Sequence, residues 1–190
     1  MILPIRAFGD AVLRKECVPI DENYPDLKGL IKNMFETLES ANGIGLAAPQ
    51  VGLDIRLFIV DVSPLADDED YADIADELRN FRKVFINAKI LEESGVEWKF
   101  NEGCLSIPDV REDVKRKPNI KIEYYDEKFQ KHIIEVADMR ARVIQHEYDH
   151  IEGILFTDHL SALKKKMVKG KLAKISKGEV SVNYKMRFPK

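Results

Sequence analysis

The chain has 190 residues, of which 45% are hydrophobic and 33% are charged, with a formal net charge of −3. This composition is typical of a folded globular protein and excludes a disordered one, and the length suits a single domain with its own core. No apolar run approaches the ~20 residues of a membrane span, and the N-terminus lacks the pattern of a signal peptide, so we expect a cytoplasmic protein without membrane contact. Two cysteines, Cys17 and Cys104, are too few for a disulfide framework.

Charge is unevenly distributed along the chain. Residues 164–190 contain ten basic residues and one acidic residue, Glu179. A segment of this kind can bind phosphate backbones, or it can be a flexible, solvated tail. An acidic block at residues 67–70 lies in a predicted exposed insertion at residues 63–80, and we interpret it as a solvated face. We therefore predict one domain at residues 1–163, followed by a basic C-terminal helix or tail.

The order of predicted elements indicates the fold class. Hydrophobic periodicity predicts an N-terminal amphipathic helix at 26–40, a helix at 139–152 and a basic helix at 162–175. Strands are predicted at 55–61, 83–92, 96–100, 120–124 and 131–136. Small residues at 43–52 predict a loop whose backbone can approach a ligand closely, or a tight structural turn. Because the strands do not alternate with helices, we predict an α+β fold.

The strongest chemical signal is an HExxH motif formed by His146, Glu147 and His150. In a helix the two histidines project from one face, one turn apart, so both imidazoles can bind one metal ion. Glu147 then lies beside the water on that ion, where a general base is needed. The alternative interpretation is a chance pattern of surface residues.

A catalytic site of this type needs a third protein ligand and one open position. The candidates are Cys104, His132, His159 and the carboxylates. Cys104 lies in a polar, glycine-containing turn at 102–108, where a nearby cation would favour its thiolate. On its own, such a cysteine can equally be a buried apolar residue.

Three segments together resemble the signature motifs of the peptide deformylases. They are GIGLAAPQ at 43–50, EGCLS at 102–106 and QHEYDH at 145–150, in the order of that family. The resemblance runs from residue 2 to about residue 163. It implies antiparallel or mixed β-sheets packed around a central HExxH helix, and removal of the formyl group from the N-terminal methionine of new proteins.

The resemblance also implies a ligand set and a metal. It makes Cys104, His146 and His150 the ligands of one divalent ion. In the family this ion is usually Fe²⁺ in cells, and Ni²⁺, Co²⁺ or Zn²⁺ are accepted. A Cys-His-His set suits several of these metals, so the residues do not select one.

Further roles follow from the same resemblance. Glu147 becomes the general base and then the general acid. Gln50 and the backbone N–H of Leu105 become the donors to the developing oxyanion, and Gly45 lies next to the substrate. Nascent formyl-methionyl peptides are the implied substrates, ribosomal RNA is a possible contact of the basic tail, and a monomer is the favoured oligomeric state.

Residues around the motifs are candidates for the methionine pocket and its support. Ile44, Met139, Arg142 and Val143 are candidates for the pocket lining, and Arg111 for holding the peptide's carbonyl or carboxylate end. Because a charge is unexpected beside an apolar pocket, we expect the stem of Arg142 at the rim and its guanidinium in solvent.

Two supporting contacts are also predicted. Arg116 is expected to pair with Glu102 and orient the cysteine turn, or to form a surface salt bridge. Asp149 is expected to orient a ligand histidine or to cap a neighbouring group.

Two other classes of protein remain as rivals. In a zincin-type metallopeptidase, HExxH is joined by a downstream Glu or His, and His159 lies nine residues after His150. That interpretation leaves the turn around Cys104 without a role. A non-catalytic structural metal module is the second rival, and it leaves Glu147 without a role.

Overall fold

The computed structural model describes residues 1–189, and it has the predicted α+β class with antiparallel sheets. The helices are α1 (Leu27–Ser40), α2 (Ala75–Arg79), α3 (Asp138–Ile151) and α4 (Ala162–Ser176). The strands are β1 (Ile5–Arg6), β2 (Gly45–Ala47), β3 (Leu57–Asp61), β4 (Arg82–Ser94), β5 (Trp98–Cys104), β6 (Ile107–Arg116), β7 (Asn119–Tyr125), β8 (Lys131–Val136) and β9 (Met186–Arg187). No described helix combines the length and the apolar character that crossing a membrane requires.

The main sheet has five antiparallel strands in the order β2-β3-β4-β7-β8. All five residues of β3 are buried, because the two faces of this strand are covered by different helices. Leu57 and Ile59 pack in a cluster with α1, whereas Phe58 and Val60 pack in a cluster with α3. Phe58 stacks on Phe85 of β4, with ring centroids 4.7 Å apart. The sheet therefore separates α1 from α3.

The second face of α3 is turned toward the hairpin of β5 and β6. Arg142 of α3 donates to the backbone carbonyls of Trp98 and Val114, at 2.9 and 3.2 Å. The ring of His146 is stacked near Phe156, which belongs to the core cluster of the hairpin. The HExxH helix is therefore held between the main sheet and this hairpin.

The C-terminal residues pack back onto the body of the protein. Ser161 caps α4 by accepting from the N–H of Lys164, and Val168 and Ile175 of the helix are buried. The chain then turns at Gly178 (φ +76°), and β9 forms a parallel pair with β1. The predicted boundary between residues 163 and 164 lies inside α4.

Candidate metal centre and cleft

Cys104, His146 and His150 form a cluster of potential metal ligands. One donor atom from each lies within 4.8 Å of the other two, and Cys104 Sγ is 3.3 Å from His150 Nε2. The histidines meet because they are one turn apart on α3, and the cysteine arrives at the C-terminal end of β5. The sequence left four kinds of third ligand open, and the fold brings Cys104 into position.

The other candidate ligands lie in different surroundings. His159 is 2.8 Å from Asp149, and His132 is 2.8 Å from Asp126. The carboxylate of Asp149 contacts Arg116 and His159, which fits the predicted alternative of capping a neighbouring group and not that of orienting a ligand histidine.

The ring of His146 is held in an orientation that fits a bound metal ion. His146 Nδ1 lies 3.0 Å from a carboxylate oxygen of Glu102, which leaves Nε2 for the cluster. Such carboxylate–histidine contacts fix the ring and raise its basicity as a ligand. Glu147 Oε2 and His150 Nδ1 are buried without a hydrogen-bond partner. Because buried polar atoms are normally paired, the donor set and the unsatisfied Glu147 oxygen fit a site built to hold a further group, whereas His150 Nδ1 is on the side of its ring away from Cys104.

Charges in the cluster shift the protonation of its members. Burial raises the pKa of the Cys104 thiol, but His150 and His146 outweigh burial and lower that pKa to about 5. Burial lowers the pKa of His146, but hydrogen bonds to Cys104 and Glu102 raise it well above its usual value. Burial also raises the pKa of Glu147 to about 7. These charges therefore favour the thiolate form of Cys104, which is the form that binds metals.

Glu102 is a buried anion surrounded by three cationic or proton-donating groups. Its carboxylate accepts from Arg116 Nε at 2.7 Å and Arg116 Nη2 at 3.1 Å, which confirms the predicted pair. It also accepts from Arg142 Nη1 at 2.9 Å and contacts His146. The expected exposure of the Arg142 guanidinium is wrong, since the residue is 2% exposed and its charge points inward. Burial raises the pKa of Glu102, but His146 and Arg116 outweigh burial and hold it well below its usual range.

Gln50 contacts the cluster through its side-chain amide. Its Nε2 is 3.3 Å from Ser106 Oγ and 3.5 Å from Cys104 Sγ. Its Oε1 accepts from the backbone N–H of Ala47 at 2.8 Å, so the amide orientation is determined by both ends. The short 3-10 helix Ala48–Val51 at the end of β2 gives Gln50 this buried position.

Gly45 lies directly against the carboxylate of Glu147. A Cβ atom built at Gly45 would lie 2.4 Å from Glu147 Oε1, which is closer than any real side chain approaches. The absence of a side chain therefore lets β2 and Glu147 occupy adjoining positions. Residues 43–52 were predicted as a loop or a tight turn, and the structure instead places Gly45–Ala47 in an edge strand of the main sheet.

A cavity of about 910 Å³ opens at this cluster. Its lining includes all five residues predicted for the pocket, namely Ile44, Met139, Arg142, Val143 and Arg111. Arg111 also bonds to Asn101, with Nη2 2.6 Å from the backbone carbonyl.

The sequence analysis missed several lining residues, including two groups from segments without a motif. Leu65 and Tyr71 come from the insertion, and residues 181–184 come from the C-terminal tail. Neither segment carries a motif, so hydrophobic residues within an otherwise charged segment were the only available signal.

Comparisons with known proteins relate the whole chain to one family. A sequence model of the family described as polypeptide deformylase matches residues 2–166. The chain is 60% identical over 190 residues to the peptide deformylase of Christiangramia forsetii, covering 100% of this chain and 97% of that protein. It is 51% identical to the peptide deformylase of Cytophaga hutchinsonii, covering 100% and 98%. A crystal structure of a peptide deformylase from Legionella pneumophila superposes with a TM-score of 0.79 at 34% identity, covering 94% and 98%.

Proposed function

We propose, from the premise that this chain belongs to the polypeptide deformylase family, that Cys104, His146 and His150 hold the catalytic metal ion. The enzyme is a metal-dependent hydrolase that removes the N-formyl group from nascent peptides. The observation that carries the assignment of residues is the meeting of one thiolate and two imidazoles within 4.8 Å, beside a buried carboxylate. When a divalent ion is bound there, it supplies Lewis acidity that polarises the formyl group and makes water more acidic.

Glu147 moves the proton in this proposal. Its unpaired buried oxygen accepts a proton from water as the water attacks the formyl carbon. The same carboxyl group then donates that proton to the nitrogen of the leaving amine as the C–N bond breaks. The products are formate and a peptide whose N-terminal methionine carries a free amino group. We place Gly45 next to the substrate, because its lack of a side chain lets the backbone of β2 lie directly against this carboxylate.

Gln50 and Leu105 stabilise the negative charge that develops on the formyl oxygen. The Gln50 amide is preorganised by its contacts with Ala47 and Ser106. The backbone N–H of Leu105 follows the ligand Cys104 directly in the chain. A preorganised donor of this kind contributes ~3 kcal/mol to transition-state stabilisation. The apolar lining residues Ile44, Met139 and Val143 suit a methionine side chain.

The test combines metal analysis with a specific assay. After purification without oxygen we expect about one Fe²⁺ per chain, and release of formate from formyl-Met-Ala-Ser. A zincin-type peptidase would instead cleave an internal peptide bond and release no formate. Zn²⁺, Ni²⁺ or Co²⁺ at full occupancy would revise the metal but not the reaction.

We also propose a monomeric, cytoplasmic enzyme, and light scattering of the same preparation tests the monomer.

The exposed lysines of α4 are proposed to contact ribosomal RNA. Lys165, Lys166, Lys169, Lys171 and Lys174 are all exposed on this helix. We expect Lys166→Glu with Lys169→Glu to weaken salt-sensitive cosedimentation with ribosomes. Each lost phosphate contact should reduce the slope of log affinity against log salt concentration by about one. Truncation is a poorer test, since Val168 and Ile175 belong to the core.

The control for this prediction reverses two exposed lysines elsewhere, Lys28 and Lys128. The net charge then changes equally, so nonspecific attraction falls equally in both variants. Equal cosedimentation of the two double variants would contradict the proposed role of α4. Both variants should deformylate a formyl peptide in solution, without ribosomes, at the same rate.

A further inference from the structure

The C-terminal residues 181–184 form one wall of the catalytic cleft. They line the same cavity as Cys104 and Glu147, although Tyr184 is 79 residues from Leu105 in the sequence. This wall lies outside residues 2–166, which the family model matches. We call residues 181–184 the tail wall.

Regular backbone pairing and apolar packing hold the tail wall in place. The N–H of Ile5 donates to the carbonyl of Lys185 at 2.8 Å, and the N–H of Ala7 donates to the carbonyl of Arg187 at 2.9 Å. Met186 and Phe188 pack against the core cluster that includes residues of the β5–β6 hairpin. The wall is therefore anchored on its C-terminal side by residues 5–8, which we call the N-terminal arm. The same arm contacts the turn after Cys104.

Tyr184 connects the tail wall to that turn. Its hydroxyl donates to the backbone carbonyl of Leu105 at 2.8 Å. The next carbonyl, that of Ser106, accepts from the N–H of Phe8 at 2.8 Å, and Ser106 Oγ contacts Gln50. The two-residue turn between β5 and β6 is thus tied to the tail, the N-terminal arm and Gln50 at consecutive positions.

We propose that Tyr184 is a positioning residue for deformylation, which acts by fixing the backbone of Leu105 next to the metal ligand Cys104. The inference rests on the proposed role of the Leu105 N–H as an oxyanion donor. Between that N–H and the carbonyl held by Tyr184 there are only the two backbone dihedrals of Leu105. A bond to the carbonyl therefore restricts the direction of the N–H, and a donor that is already aligned needs no reorganisation during the reaction.

The experiment compares Tyr184→Phe with the native enzyme, both loaded with metal. We expect kcat to fall about fivefold, the effect of losing one neutral hydrogen bond, with KM for formyl-Met-Ala-Ser unchanged. Hydrogen exchange of the amides of Leu105 and Ser106 should become faster, and the metal content should not change. Tyr125→Phe is the matched control, because Tyr125 is partly buried and packs against Phe129 away from the cleft.

The outcomes separate this inference from the proposed function. If native enzyme releases formate and Tyr184→Phe retains native kcat, Tyr184 has only a structural role and the inference is wrong. The same conclusion follows if a fall in rate is explained by fewer folded or metal-loaded molecules. An absence of formate release by the native, loaded enzyme would instead overturn the proposed function.

Discussion

Replacing Glu147 with glutamine should lower kcat for formate release by about 10³-fold while the bound metal is retained. Glutamine has nearly the same shape as glutamate, so the close contact with Gly45 is preserved. The ligand atoms of Cys104, His146 and His150 are not changed. What is lost is a group that can take a proton from water and return it to the amine. Activity and metal content are measured on the same anaerobic preparation.

Glu135→Gln is the matched control for this prediction. Glu135 is an exposed carboxylate on β8, and its only described ion pair is with Lys121. The same chemical change there should leave kcat and metal content at native values. A structural metal module predicts that the Glu147 and Glu135 variants behave alike. Loss of metal in Glu147→Gln would mean that the carboxylate supports binding, which contradicts the role assigned to it.

The pH dependence gives a second measurement on Glu147. Burial raises the pKa of this carboxyl group to about 7, and a bound cation would favour the carboxylate and move the pKa downward. The base works only when it is ionised, so kcat should fall tenfold for each pH unit below this pKa. Rate rises with pH until the group is fully ionised. The residual kcat of Glu147→Gln should not show this fall at low pH.

Local patterns predicted much of the fold and the centre of the site. Strand β8 occupies the predicted residues 131–136, because alternation of side chains depends only on neighbours along the strand. The two histidines share a face of α3 for a similar reason, since a spacing of four residues fixes their direction. The third ligand was identified through a family resemblance, because no periodic spacing of side chains along a helix or strand indicates it.

Contacts between distant segments were not predictable in this way. The guanidinium of Arg142 points inward because Glu102 and the carbonyl of Trp98 meet it from the hairpin, and periodicity on α3 contains no information about those partners. Strand β6 was missed because it carries many charged residues and a proline, Pro108, which weaken the strand pattern. The contact of Tyr184 with Leu105 depends on long-range interactions such as the pairing of β9 with β1.

Glu102→Gln is expected to have the second large effect, on stability and on metal affinity together. Arg116 and Arg142 are 7% and 2% exposed, and both donate to the Glu102 carboxylate. Removing the negative charge leaves two buried cations with reduced compensation, which costs about 3–5 kcal/mol when a buried pair is broken. His146 also loses the carboxylate that orients its ring, so metal affinity should fall by about 10–100-fold.

The native protein should show the corresponding dependence on pH. The pKa of Glu102 is lower in the folded state than in the unfolded state, so its ionisation stabilises the fold above the unfolded value of ~4.3. That contribution is lost as pH falls toward the folded pKa, and Glu102→Gln should lack this part of the acid sensitivity. Urea unfolding of the metal-loaded proteins at several pH values measures the loss of stability and its dependence on pH.

Glu123→Gln provides the comparison at a weak ion pair. Glu123 lies on β7 and is 2.9 Å from Lys131, with their side chains 28% and 50% exposed. Solvent screens such a pair, so its loss should change stability by less than about 1 kcal/mol and leave metal affinity unchanged. Equal stability losses at positions 102 and 123 would show that the two arginines are satisfied without Glu102. Because the three partners of Glu102 converge on one carboxylate, its loss should instead disturb the hairpin, α3 and the metal ligand in a single step.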